Sequence, residues 1–97
     1  MGIYTIIATW KSQVWVEQIH ADMLLNACQI WGKHFSEMFQ HPKFDRADFL
    51  EDLAFKIAEL PPVPLENMQS VWGMSFIVAG KALWLHIVLT DIPVRGE

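Results

Sequence analysis

The chain has a single cysteine, Cys28, in 97 residues. A lone thiol excludes an internal disulfide and a metal cage built from cysteines. No HExxH pattern for a helical zinc site is present. Basic residues are scarce: seven Lys and Arg stand against eleven Asp and Glu, for a formal net charge of −4. Without a basic cluster to neutralise phosphates, nucleic-acid binding is not expected. The first twenty residues lack a basic start and carry Glu17 and Gln18, so no signal peptide is expected and a reducing cytoplasm is the default. Charged residues make up only 19% of the chain and hydrophobic ones 53%. Such a chain folds and has little polar surface to spare. Its length fits one domain, residues 1–97, with a core that needs no staples.

What the chain has in abundance is apolar, strand-forming sequence. The richest stretch is Ser70 to Asp91, SVWGMSFIVAGKALWLHIVLTD. Two runs rich in Val, Ile, Trp and Phe, Val71–Val78 and Ala82–Leu89, flank Ala79-Gly80-Lys81, and these residue types fit a pleated surface. Gly80-Lys81 reads as a type II′ turn, which places glycine first. That register pairs Ile77 with Trp84, Ser75 with His86 and Trp72 with Leu89. Alternation then sorts the side chains onto two faces. Trp72, Met74, Phe76, Val78, Leu83, Leu85, Ile87 and Leu89 form an apolar core face. Val71, Gly73, Ser75, Ile77, Trp84, His86, Val88 and Thr90 form a second face, too apolar for ordinary solvent exposure. The rival reading is a transmembrane helix. It would place Lys81 at mid-membrane, at a cost of roughly 2.5–3.5 kcal/mol, so the hairpin is preferred and no membrane association is expected.

A first hairpin is expected from IYTIIATW (3–10) and QVWVEQIH (13–20) around Lys11-Ser12. Tyr4, Ile6, Ala8, Trp10, Trp15 and Ile19 share the expected core side with Gln13 and Glu17. Ile3, Ile7, Val14 and Val16 share the other with Thr5, Thr9, Gln18 and His20. Asp22 is a suitable N-cap for a helix to about Gln40. Leu24, Ala27, Cys28, Trp31, Phe35 and Met38 form its apolar stripe, opposite Asn26, Gln29, Lys33 and Ser36. Gly32, costly by about 1 kcal/mol in mid-helix, marks close packing. His41-Pro42 ends that helix. A second is expected from about Asp45 to Leu60, with Ala47, Leu50, Leu53, Ala54 and Ile57 inward and Asp45, Asp48, Asp52, Lys56 and Glu59 outward. Pro61, Pro62 and Pro64 then stiffen the crossing back. The order ββααββ predicts an α+β fold: an antiparallel sheet of two hairpins with both helices on one face.

No grouping carries strong chemistry. His34, Glu37 and His41 lie at one-turn and two-turn spacing, but the two histidines are roughly 10 Å apart along a straight helix. Ser75 beside His86 lacks a third group to orient the base, and Cys28 falls in the core stripe, where thiols are inert. No catalytic residue, metal or cofactor is therefore expected. Residues 43–66 carry Asp45, Asp48, Glu51, Asp52, Glu59 and Glu66 against three cations. A solvated helix face accounts for these, but Phe55 falls within the acidic arc, as an interface anchor would.

The expectation is a small non-enzymatic protein-interaction module of the inhibitor or regulator type (immunity, antitoxin or anti-defence). It homodimerises through the second sheet face and binds another protein. The interface residues expected are Trp84, Ile77, Val71, Val88 and His86 on the sheet, with Phe55, Asp48 and Asp52 on the second helix. The alternative is an enzyme or a small-molecule or metal-binding protein with a pocket between sheet and helices, using His34, Glu37 or His86.

Overall fold

The computed structural model describes residues 2–59, 62–65 and 70–91. Leu60, Pro61, Glu66 and the tail residues Ile92, Pro93 and Val94 lie outside the described residues. Strands β1 (Gly2–Trp10) and β2 (Gln13–Ala21) are followed by helices α1 (Leu24–Met38) and α2 (Arg46–Glu59). Strands β3 (Val63–Pro64), β4 (Val71–Val78) and β5 (Lys81–Asp91) complete the chain. The five strands form one antiparallel sheet in the order β2-β1-β5-β4-β3. The fold is thus the α+β arrangement expected, with one short addition. Val63-Pro64 forms a marginal fifth strand against Gly73 and Trp72, at the sheet edge where a proline costs no ladder bond.

Both hairpins bury the faces that alternation assigns. Tyr4, Ile6, Ala8, Trp10 and Ile19 are buried from the first, and Phe76, Val78, Leu83, Leu85 and Ile87 from the second. The two hairpins join through β1 and β5, which places Ile6 opposite Ile87 and Ala8 opposite Leu85. The second turn is one residue earlier than expected. Ala79 and Gly80 both take positive φ, 49° and 82°, which defines a type I′ turn. The pairing is therefore Ile77 with Ala82, Ser75 with Trp84, Gly73 with His86 and Trp72 with Ile87. The slip is two residues, one full pleat period, so every side chain keeps its face while its cross-strand partner changes. Trp10 Nε1 donates to Val78 O at 2.9 Å, tying this turn end to β1.

Helix α1 starts after Met23, which is extended and holds the cap position without a side-chain bond. Asp22 is exposed and is not the cap. At the other end Phe39 leaves the helix, and its ring packs 5.0 Å from those of Trp10 and Phe35. Ala27, Cys28, Trp31, Gly32 and Phe35 are buried as the stripe predicts, but Met38 is exposed. Ser36, expected outward, is buried because Arg46 Nε reaches across from α2 to bond its hydroxyl at 3.2 Å, while that hydroxyl donates to Lys33 O at 2.9 Å. Gly32 packs against α2: a Cβ there would collide with the Leu53 side chain.

Helix α2 is capped by Asp45, whose carboxylate accepts from the Asp48 N–H at 3.0 Å. Its buried residues are Phe49, Leu53 and Ile57, while Ala47 and Ala54 are exposed. The helix is rotated from the expected orientation because Phe49 buries more apolar area than either alanine. Its ring lies 5.6 Å from Phe76 on the sheet and 5.6 Å from Phe35 on α1. The rotation brings Lys56 inward, where Nζ donates to Ser75 O at 3.1 Å and sits 5.0 Å above the Phe76 ring.

Candidate interaction surface

Both helices lie on one side of the sheet, and the opposite side is read directly from the strand register. One row runs Gln18, Thr5, Val88, Val71 across β2, β1, β5 and β4. The next runs Val16, Ile7, His86, Gly73, Val63 across all five strands. A third runs Val14, Thr9, Trp84, Ser75, and beyond it Ala82 faces Ile77. His20, Ile3 and Thr90 close the other end. Among these described residues there is no Asp, Glu, Lys or Arg, although such residues make up 19% of the chain. A solvated sheet face ordinarily alternates to polar and charged residues. Depletion of charge is one of the compositional marks of the core of a protein interface.

The exposures follow that composition. Ile77 is 72% exposed, Val16 63% and Trp84 53%. His86 is exposed, and Val71 and Val88 are half-buried among their neighbours. The structure thus brings the five sheet residues singled out in the sequence onto one surface. It adds Val14, Val16, Ile7 and Val63, which become part of that surface only because β1 pairs with β5 and β3 with β4. The alternation of β1 and β2 already contained the first three; nothing local in the sequence showed that they would join Trp84.

The α2 residues form a separate surface. Phe55 is 55% exposed. The other five phenylalanines join a continuous set of ring contacts; Phe55 has no part in it. Asp48 and Asp52 share the outer arc of α2 with Phe55, two turns and one turn before it. Together with Lys43, Phe44 and Ile77 they line a cleft of about 410 Å³ between α2 and the β4–β5 turn.

The chemical candidates are dispersed. His34 Nδ1 pairs with Glu17 Oε2 at 2.5 Å. Glu37 pairs with Arg46 at 3.2 Å. His41 lies edge-on to Trp10, and its Nδ1 accepts the Lys43 N–H at 3.1 Å. Among the described residues no group of three or more His, Cys, Asp or Glu is placed to hold a metal ion. The register pairs Ser75 with Trp84 and His86 with Gly73, so Ser75 and His86 are diagonal neighbours and not a direct cross-strand pair. Cys28 is buried, and desolvation pushes its thiol up to about 11, far from the thiolate a nucleophile needs. A shallow groove of about 310 Å³ lies between β2 and α1, lined by Trp15, Trp31, His34, Glu17 and Met38. No helix among the described residues is long and apolar enough to cross a membrane, and Ser70–Asp91 forms strands.

Comparison with protein-family models, curated proteins and solved structures finds no match to this chain.

Proposed function

We propose that this protein is a small non-enzymatic interaction module, of the inhibitor or regulator type, that homodimerises through its open sheet face. The observation that carries the reading is the charge-free face across Val16, Ile7, His86, Gly73 and Val63, with Trp84 and Ile77 exposed beside it. Monomers rarely leave a contiguous apolar patch of several hundred Å² in water. Four full strands about 4.8 Å apart and about 30 Å long span roughly 600 Å² per protomer. Two copies then bury about 1,200 Å², the lower bound for a specific interface. Charge favours a second copy as occupant. In a chain of net charge −4, this face lets two molecules meet without opposing like charges. Sheets stacked face to face are also a common packing solution.

The acidic outer surface of α2, with Phe55 as its anchor, suits a separate, basic protein partner. Light scattering over a dilution series tests the first part: a dimer that Trp84→Asp converts to a monomer is expected, and a parent chain that is monomeric throughout would refute it. For the second part, Phe55→Ala is expected to abolish partner capture without altering the dimer.

A second reading draws on the groove at Trp15 and Met38, where Glu17 pairs with His34. It makes the chain a small-molecule binder. Native mass spectrometry of the purified protein would reveal a bound ligand, and an empty chain would count against this reading.

A further inference from the structure

We infer that the sheet-face dimer is gated by protons through His86. The inference rests on the reading of that face as the dimer interface. His86 occupies the centre of the charge-free surface. Ile7 and Val16 lie to one side of it in its row, and Gly73 and Val63 to the other. Trp84 and Val88 flank it along β5, so a second copy that covers Trp84 also covers His86.

The surroundings leave protonation without compensation. From β1 the face presents Thr5, Ile7 and Thr9, and from β4 it presents Val71, Gly73 and Ser75. No described residue packed around His86 on this face is a carboxylate, a lysine or an arginine. Among the described residues the only other ionisable group on the face is His20, at its far end opposite Ile3. His34 and His41 belong to the helical side, where they contact Glu17 and Trp10.

Histidine is the side chain whose charge changes between about pH 5 and 8. Moving an imidazole from water into an apolar interface favours its neutral form. The affinity for protons is therefore lower in the dimer than in the monomer. By linkage, association is strongest where His86 is already neutral and weakens as pH falls. Each dimer buries two such rings, so the effect enters twice. The remaining charges act in the opposite direction. Acidification neutralises carboxylates of this net-negative chain and by itself eases the approach of two copies. A dimer that loosens on acidification is thus a signature of the histidine rather than of overall charge.

The test is the dimer dissociation constant of the full chain, from sedimentation equilibrium at about pH 8 and about pH 5.5, for the parent, His86→Gln and His20→Gln. Glutamine keeps a polar, hydrogen-bonding side chain and removes the titration; His86→Thr provides a second non-titrating variant that favours the strand. The parent constant is expected to rise at least about tenfold on acidification, the equivalent of about one pKa unit of differential proton binding. It is expected to change less than about threefold in His86→Gln and His86→Thr, while His20→Gln keeps the parental response. A parent dimer equally tight at both pH values overturns the gating and leaves the interface reading intact. A full pH response in the two His86 variants overturns it as well. A chain monomeric at about pH 8 overturns the interface and the gating together.

Discussion

Replacing Trp84 with threonine separates the interface from the fold. Trp84 is 53% exposed, and a tryptophan side chain carries up to about 250 Å² of accessible surface. About 130 Å² per protomer thus remains for a partner to cover. At about 25 cal/mol per Å² this is worth about 3 kcal/mol on each side. Translational, rotational and side-chain ordering costs are already met by the rest of the interface, but threonine retains part of the area. A loss of at least about 2.7 kcal/mol from the two sites together is therefore expected, or about a hundredfold in the dimer dissociation constant. Threonine suits a strand, and no hydrogen bond of Trp84 is lost, so the fold itself should change by less than about 1 kcal/mol. Sedimentation equilibrium gives the first quantity. Urea unfolding at a concentration where both proteins are monomeric gives the second. A dissociation constant within about threefold of the parent would refute the assignment of Trp84 to the interface. A fall in monomer stability of several kcal/mol would show that Trp84 supports the fold.

Gly32→Ala tests the helix contact: alanine gains about 1 kcal/mol of helix propensity, but its Cβ meets buried Leu53. Overpacking costs about 1–3 kcal/mol, so urea unfolding should show a net loss, and a stabilised variant would contradict the close approach. Phe35→Ala removes a fully buried ring that contacts Trp31, Phe39 and Phe49; a cost of about 3–5 kcal/mol is expected in the same assay. Cys28 has its thiol raised from 9.0 to about 11 in the fold. Its contribution to stability is therefore full below about pH 9 and is lost as pH rises through about 11. The stability difference between the parent and Cys28→Val should shrink over that range, and a difference independent of pH would refute the burial argument. Below about pH 9 the native thiol should resist alkylation until the chain is unfolded by urea.

The amino-acid order alone determined the elements and most of the faces. Alternation in 3–10, 13–20 and 71–89 separated the buried side chains from the open ones, because a strand's side-chain period of two needs no tertiary information. The stripe through Ala27, Trp31 and Phe35 and the crowding at Gly32 were legible for the corresponding helical reason. Three features were decided only by the tertiary structure. The β4–β5 register slipped by two residues, to which alternation is blind, and this moved His86 from Ser75 to Gly73. Helix α2 turned to bury Phe49 and bring in Lys56, because the aromatic cluster across α1 and the sheet outweighs the small alanine stripe. Most consequential is the pairing of β1 with β5. Each hairpin's sequence carries half of a charge-free face, but only this long-range pairing places Ile7 and Val16 beside His86 and Trp84. Local patterns encode which side of a strand is apolar; which strands lie side by side depends on contacts between residues far apart in the chain.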